Sequence, residues 1–202
     1  MSSQRLSQFN DGIFAFSATL LMLNFAVPAV RGQDNTALAV GLVSQWPKLL
    51  AFLLSFGVII NYWRTHGTVF HAVQVVDHRT IVLNAMFLAV TAFVPYVTNV
   101  VGSYPLLPAA AVLYSVTLLA GTYIGKLMGD HLVATNAFRG HVSPAATIAF
   151  RRMNFAVYMR IVGLLFAFFL PVVSYVLYWA IIIYYLSASG IDAYAPEESV
   201  AS

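Results

Sequence analysis

The stretch from Arg5 to Leu23, RLSQFNDGIFAFSATLLML, decides how this chain is read. A basic residue and a carboxylate stand ahead of an apolar segment with no further charge. An Asp at the mouth of a membrane span is costly unless paired, so Asp11 reads as a structural or functional keystone. Beyond it, Phe16, Leu20 and Leu23 recur at steps of 4 and 3, while Ser17 and Thr19 are small and polar. That spacing lays the three large side chains on one face of a helix.

Composition agrees with a membrane setting. Of 202 residues, 60% are hydrophobic and only 8% charged, where soluble domains carry about 25% charged residues. At roughly 20 residues per span the length holds five to seven helices and leaves no room for a soluble domain. The chain has no Cys, which excludes disulfides, thiolate metal sites and a Cys nucleophile. The first apolar segment lacks the basic n-region and small-residue cleavage site of a secretory leader, so it reads as a retained span. Arg outnumbers Lys, a weak pointer to a GC-rich bacterial genome.

Hydropathy divides the chain into spans at about 9–30, 36–63, 80–101 and 107–128, with polar connections at 31–35, 65–79, 102–105 and 129–152. Pro47 falls near the first turns of the second span. The region 161–186 carries no charge and is interrupted only by Pro171 and Ser174. It fits one long kinked helix, or two short helices at about 153–170 and 172–187 turning at Leu170 and Pro171. The second arrangement makes Arg160 snorkel toward the headgroups. Residues 1–188 thus form one transmembrane domain. The acidic, Pro-bearing tail 189–202 is expected to be disordered.

Basic residues set the orientation. With six spans, Arg5, Arg64, Arg79, Lys126, Arg139, Arg151, Arg152 and Arg160 share one side, and only Arg31 and Lys48 take the other. The positive-inside rule then puts both termini in the cytoplasm. His66, His71, His78, His131 and His141 share the cytoplasmic side.

No enzyme motif is present: there is no H-E-x-x-H, G-x-S-x-G, P-loop or G-x-G-x-x-G. His66, His71 and His78 are spaced by 5 and 7, which does not gather them on one helical face. They read as interface histidines ahead of metal ligands, and no metal or other cofactor is expected. There is no T-V-G-Y-G segment, which excludes a carbonyl-lined potassium filter on this chain. No carboxylate sits at mid-membrane depth, and Pro95 and Pro171 do not pair in a repeat. Both facts weigh against an ion-coupled transporter.

What remains is a cluster where three antiparallel helix ends meet. Arg5 and Asp11 open span 1, Trp63 and His66 close span 2, and Arg79 and Asn84 open span 3. Asp11 gains from the helix dipole and still needs donors, for which Arg5, His66 and Asn84 are candidates. The plain reading is a polar clasp that ties three helices together. The sharper one is that the clasp also orients span 1 as a pore helix. By the same weighing, Phe16, Leu20 and Leu23 either pack on a neighbour or on lipid, or line a pore.

Three stretches together resemble one family. Residues 5–12, R-L-S-Q-F-N-D-G, are similar to the R-x-x-x-F-S-D signature of the transmembrane protein 175 potassium channel family in its short single-repeat bacterial form. Residues 61–70, N-Y-W-R-T-H-G-T-V-F, resemble its Y-W-x-x-H-x-x-x-F segment. Residues 83–96, L-N-A-M-F-L-A-V-T-A-F-V-P-Y, resemble its N-x-x-F-L-x-x-x-x-F-x-P pattern. The likeness covers the first hundred residues; the rest matches in hydropathy alone.

The resemblance implies an all-α integral membrane fold with six spans per subunit in a homotetramer. Helix 1 would line a central pore, narrowed by Phe16, Leu20 and Leu23 with Thr19 beside them. Arg5, Phe9, Asn10, Asp11, Trp63, His66 and Asn84 would form the clasp. Asn10 departs from the family's Ser yet keeps a helix-capping acceptor. Phe16 departs from the usual aliphatic residue and puts conductance in question. The implied function is a potassium-permeable cation channel in the bacterial plasma membrane, passing potassium and other monovalent cations, with no nucleic-acid partner. A secondary transporter or proton leak, and a noncatalytic membrane scaffold, are the alternatives.

Overall fold

The computed structural model describes residues 3–30, 32, 34–71, 73–74, 76–138 and 144–187. They form seven α-helices: α1 (Ser3–Leu20), α2 (Asn35–Val43), α3 (Trp46–His71), α4 (His78–Ser103), α5 (Pro108–Ala134), α6 (Pro144–Ala167) and α7 (Pro171–Ser187). A 3-10 turn, Leu21–Asn24, extends α1. The tail 189–202 lies outside the described residues. Trp46–Phe70, His78–Ser103 and Pro108–Ala134 are long and apolar enough to cross a bilayer, and Pro171–Tyr185 is a shorter apolar helix.

Two boundaries differ from the hydropathy reading, and proline explains both. The expected span 36–63 is two helices. Pro47 has no N–H to give and its ring opposes the carbonyl of Val43, four residues earlier, so the helix breaks at Ser44 and Gln45. The nine residues of α2 reach about 14 Å, too short for a core of about 30 Å. Span 1 likewise stops early. Its helix tightens into the 3-10 turn and Phe25 is extended (φ −91°, ψ 125°) three residues before Pro28.

Proline also decides the last region. It is two helices, because Pro171 starts α7 at a position where its missing N–H costs nothing. The end of α6 is closed by Phe169 and Leu170, whose N–H groups both bond the carbonyl of Phe166. Just past the end of α5, Asn136 takes the left-handed region (φ 49°), a conformation Asn tolerates better than most residues.

Helix α4 packs between α1 and α5, while α3 touches α1, α4, α6 and α7. The main core gathers Phe14 from α1, Leu21 from its 3-10 turn, Leu54 and Val58 from α3, Val94 from α4 and Leu118 from α5, all buried. In lipid there is little hydrophobic gain from bringing helices together, so close packing and interhelical hydrogen bonds must hold them. One such chain runs through the middle of the bundle. Thr98 Oγ1 donates to Ser55 Oγ (2.7 Å), and Ser55 Oγ meets the Tyr114 hydroxyl (2.9 Å), linking α4, α3 and α5. A smaller cluster of Val69, Met128, Leu132 and Phe138 closes the other end.

Small residues set how closely α5 approaches its neighbours. Gly121, Gly125 and Gly129 recur at steps of four on one stripe. A methyl group at Gly121 would stand 2.8 Å from the Tyr62 hydroxyl of α3. At Gly129 it would stand 2.6 Å from the Phe150 ring of α6.

Candidate functional site

Helix α1 has two faces of opposite character. Leu6, Asn10, Phe14, Ser17 and Leu21, at steps of 4, 4, 3 and 4, are buried against α3 and α4. On the opposite face Phe9 (59%), Phe16 (63%) and Leu23 (76%) are exposed in the single chain, Thr19 is exposed and Leu20 is partly buried. Thr19 Oγ1 donates to the Phe16 carbonyl at 2.8 Å, so its hydroxyl is satisfied within its own helix. Leu23 lies in the 3-10 turn, where residues three apart eclipse, so it stands nearly above Leu20.

The buried face is tied down by a neutral chain of amides. Asn84 Nδ2 of α4 donates to Asn10 Oδ1 at 2.9 Å. His66 Nε2 of α3 meets Asn84 Oδ1 at 2.8 Å, and the carbonyl end of that amide makes His66 the donor. The imidazole is held flat between Phe70 (ring centroids 4.2 Å) and Phe87 (5.6 Å), with Phe14 edge-on at 5.5 Å. Three helices thus meet at one buried hydrogen-bonded row.

Asp11 stands apart from this row. Its Oδ1 accepts from Trp63 Nε1 at 2.9 Å, and both residues are exposed. Of its expected donors, His66 and Asn84 turn to each other and to Asn10 instead, while the side chain of Arg5 lies outside the described residues. The reason is angular. Asn10 and Asp11 point about 100° apart on the helix, so one faces the bundle and the other its edge. Arg79 is exposed beyond the start of α4.

The remaining histidines divide. His131 Nε2, at the end of α5, meets Asp77 Oδ2 at 2.7 Å. Asp77 Oδ1 also caps α4 by accepting the Thr80 N–H at 2.8 Å. Hydrogen bonds from Thr80 and then from His131 hold the Asp77 carboxyl well below the usual carboxylate range. Close by, the Gln74 N–H bonds the Ala137 carbonyl at 2.8 Å, pinning the α3–α4 connection to the end of α5. His78 is exposed, and His141 and the side chain of His71 lie outside the described residues. Among the described residues no group of three His, Cys, Asp or Glu is placed to hold a metal ion.

One functional-looking group escaped the sequence reading. Arg160 does not snorkel: it is 2% exposed and points into the bundle. Its Nη1 donates to the Tyr62 hydroxyl of α3 and to the Leu118 carbonyl of α5, and its guanidinium lies 5.1 Å from the Tyr62 ring centroid. The Gly121 stripe was the available signal. It lets the Tyr62 ring settle against α5, where it receives the guanidinium.

The remaining acid in this part of the chain, Asp34, caps α2 by accepting the N–H groups of Thr36 (2.8 Å) and Ala37 (3.2 Å).

Comparison with known proteins bears on both halves of the chain. The TMEM175 profile, described as "Endosomal/lysosomal potassium channel TMEM175", matches residues 5–95. A potassium channel from Chamaesiphon minutus is 38% identical over 112 residues, and that alignment spans only 55% of each protein. A potassium channel from Streptomyces collinus is 34% identical over 178 residues, 81% of this chain and 82% of the relative. The fold also matches the crystal structure of a lysosomal potassium-selective channel TMEM175 homolog from Chamaesiphon minutus. There the TM-score is 0.81 at 26% identity, over 91% of this chain and 96% of that one. Similarity of this extent in sequence and in fold places the chain in the TMEM175 family.

Proposed function

We propose that this chain is one subunit of a homotetrameric, potassium-permeable cation channel, narrowed by apolar side chains of α1. One observation carries the reading. Helix α1 is bound by its polar and apolar inner face while its opposite face leaves Phe16 and Leu23 uncovered. An exposed apolar stripe beside Thr19 is suited to a shared axis, where four copies of each residue make a ring. The potassium channels that this chain resembles support the ion. We assign six spans, to α1 with its 3-10 turn and to α3 through α7, with α2 as a short outer helix. The single domain then covers residues 1–188, and both termini lie in the cytoplasm of a bacterial cell.

A ring of Phe or Leu offers an ion no substitute for its water. Such a neck gates by dewetting: narrow, it empties; slightly wider, it fills and conducts. Potassium sheds water more readily than sodium, which gives a modest preference. The choice of cation over anion comes from the negative carbonyl end of α1, with the exposed Asp34 adding to it. The neutral row of Asn10, Asn84 and His66 fixes the rotation of α1 and so aims the stripe. The chain acts as a conduit with no enzymatic role and no cofactor.

Flux through liposomes holding the purified protein tests this. Leu20→Ala is expected to raise flux and lower the potassium-over-sodium preference, four times over in a tetramer. Leu21→Ala, on the buried face, is expected to lower thermal stability and leave the flux of the folded protein unchanged. Equal flux changes from the two would mean that the stripe is ordinary packing. Proton movement with no potassium current would favour the leak pathway, and ion-tight liposomes a scaffold.

A further inference from the structure

The guanidinium of Arg160 is buried deep in the bundle with no carboxylate paired to it among the described residues. Its carbonyl partner Leu118 lies about 15 Å from the outer end of α5 and about 24 Å from the inner one. A permanent positive charge at that depth is costly unless compensated. Its compensation is incomplete. Nη1 is used by Tyr62 and Leu118, and that carbonyl already accepts from the Tyr62 hydroxyl (2.9 Å) and from Thr122 (3.0 Å). Nε has no hydrogen-bond partner.

Beside the guanidinium is a cavity between α3, α4, α5 and α6. Asn61 and Thr65 bring an amide and a hydroxyl to its wall, and Phe87 and Met153 make it largely apolar. The space it offers suits only a few water molecules, too little for a phospholipid headgroup.

The geometry points to a binding site for a small monovalent anion of the halide type, held by Arg160 with Asn61 and Thr65. One fixed positive charge calls for one negative charge. Apolar walls favour an anion that loses its water easily, so bromide is held more tightly than chloride, and chloride more tightly than fluoride. The bound anion ties α6 to α3 and α5. No residue of α1 lines the site, so its occupancy reads out through stability and stands or falls independently of the channel assignment.

The test is thermal unfolding of the purified full chain in potassium bromide, chloride, fluoride and gluconate at one ionic strength. The wild type is compared with Arg160→Gln in each salt, which cancels general salt effects. Expected is a saturable rise of Tm in the wild type, ordered bromide, chloride, fluoride, and flat in the variant. Should Arg160→Gln not fold, Asn61→Leu and Thr65→Val keep the guanidinium and are expected to weaken the same dependence. In bromide-soaked crystals an anomalous peak is expected within the cavity. Equal salt responses in wild type and variants, or bromide only at other positions, would overturn the site. So would stabilisation by phosphatidylglycerol nanodiscs with none by halides.

Discussion

The two halves of the bundle place buried polar groups in different ways. Between α1, α3 and α4, the groups are short and neutral: Asn10, Asn84 and His66 pass hydrogen bonds along one row. Between α3, α5 and α6, a single permanent charge, Arg160, leans on a hydroxyl and a crowded carbonyl. The first arrangement fixes a rotation, because amide and imidazole bonds are directional and each residue has one correct facing. The second fixes a distance, because glycines let the Tyr62 ring close against α5 and the charge then bridges three helices. A neutral row fails group by group when cut. A buried charge is a matter of how much of it is balanced.

The sharpest break falls on the neutral row. Asn84→Ala orphans the His66 N–H and the Asn10 carbonyl together, at about 1–3 kcal/mol for each group. His66→Ala combined with it is expected to cost much less than the sum, since both remove the same bond. Full additivity in unfolding of the purified protein would mean that the row does not act as one unit.

The glycine side of the comparison is tested next. Gly121→Val puts a branched side chain where even a Cβ lies 2.8 Å from the Tyr62 hydroxyl. The expected cost is about 1–3 kcal/mol by overpacking. Pairing it with Tyr62→Ala is expected to recover part of the loss, and an unrelieved loss would separate the glycine from the ring it faces.

Asp11 and Trp63 sharpen the first half further. Their bond is exposed, so Trp63→Phe is expected to cost about 0.5–1.5 kcal/mol. It should add to the effect of His66→Ala because the two contacts share no atoms. Strong coupling between them would join Asp11 to the row after all.

The smallest effect lies at the connection between α3 and α4, in Asp77. Its carboxyl is held below its ordinary range, so it stabilises the fold above about pH 4. That contribution is lost as pH falls further, through the depressed folded-state value. Asp77→Asn is expected to flatten the acid limb of stability, with a small loss at neutral pH and none in strong acid, where the wild-type carboxyl is itself protonated. An equal loss at neutral pH and in acid would show that the contact with His131 acts by geometry and not by charge.

The residues Arg5 to Leu23 were enough to show a helix with two unlike faces, because helical spacing is written locally. The same holds for the cluster of Asn10, Asp11, Trp63, His66 and Asn84, since antiparallel neighbours bring those ends to one depth. Which residue serves which was not local. Trp63 reaches Asp11, and Asn84 reaches Asn10 across 74 positions, because only the packed helices set the rotation of each side chain.

Hydropathy also left the breaks unplaced. It averages over a window in which Pro47 weighs no more than any neighbour, yet one missing N–H divides α2 from α3. The same averaging left 161–186 open between one helix and two. Arg160 is the clearest case. By sequence a lone Arg near a span belongs at the headgroups, since water is its best partner. Inside the bundle it finds a tyrosine, a carbonyl and a cavity, and those come from α3 and α5, far away in the chain. Composition and spacing determined that this protein is helical and lies in a membrane, because those depend on each residue's own affinity for lipid or water. Only the tertiary structure decided which polar groups would share the interior, because that depends on the partners they find.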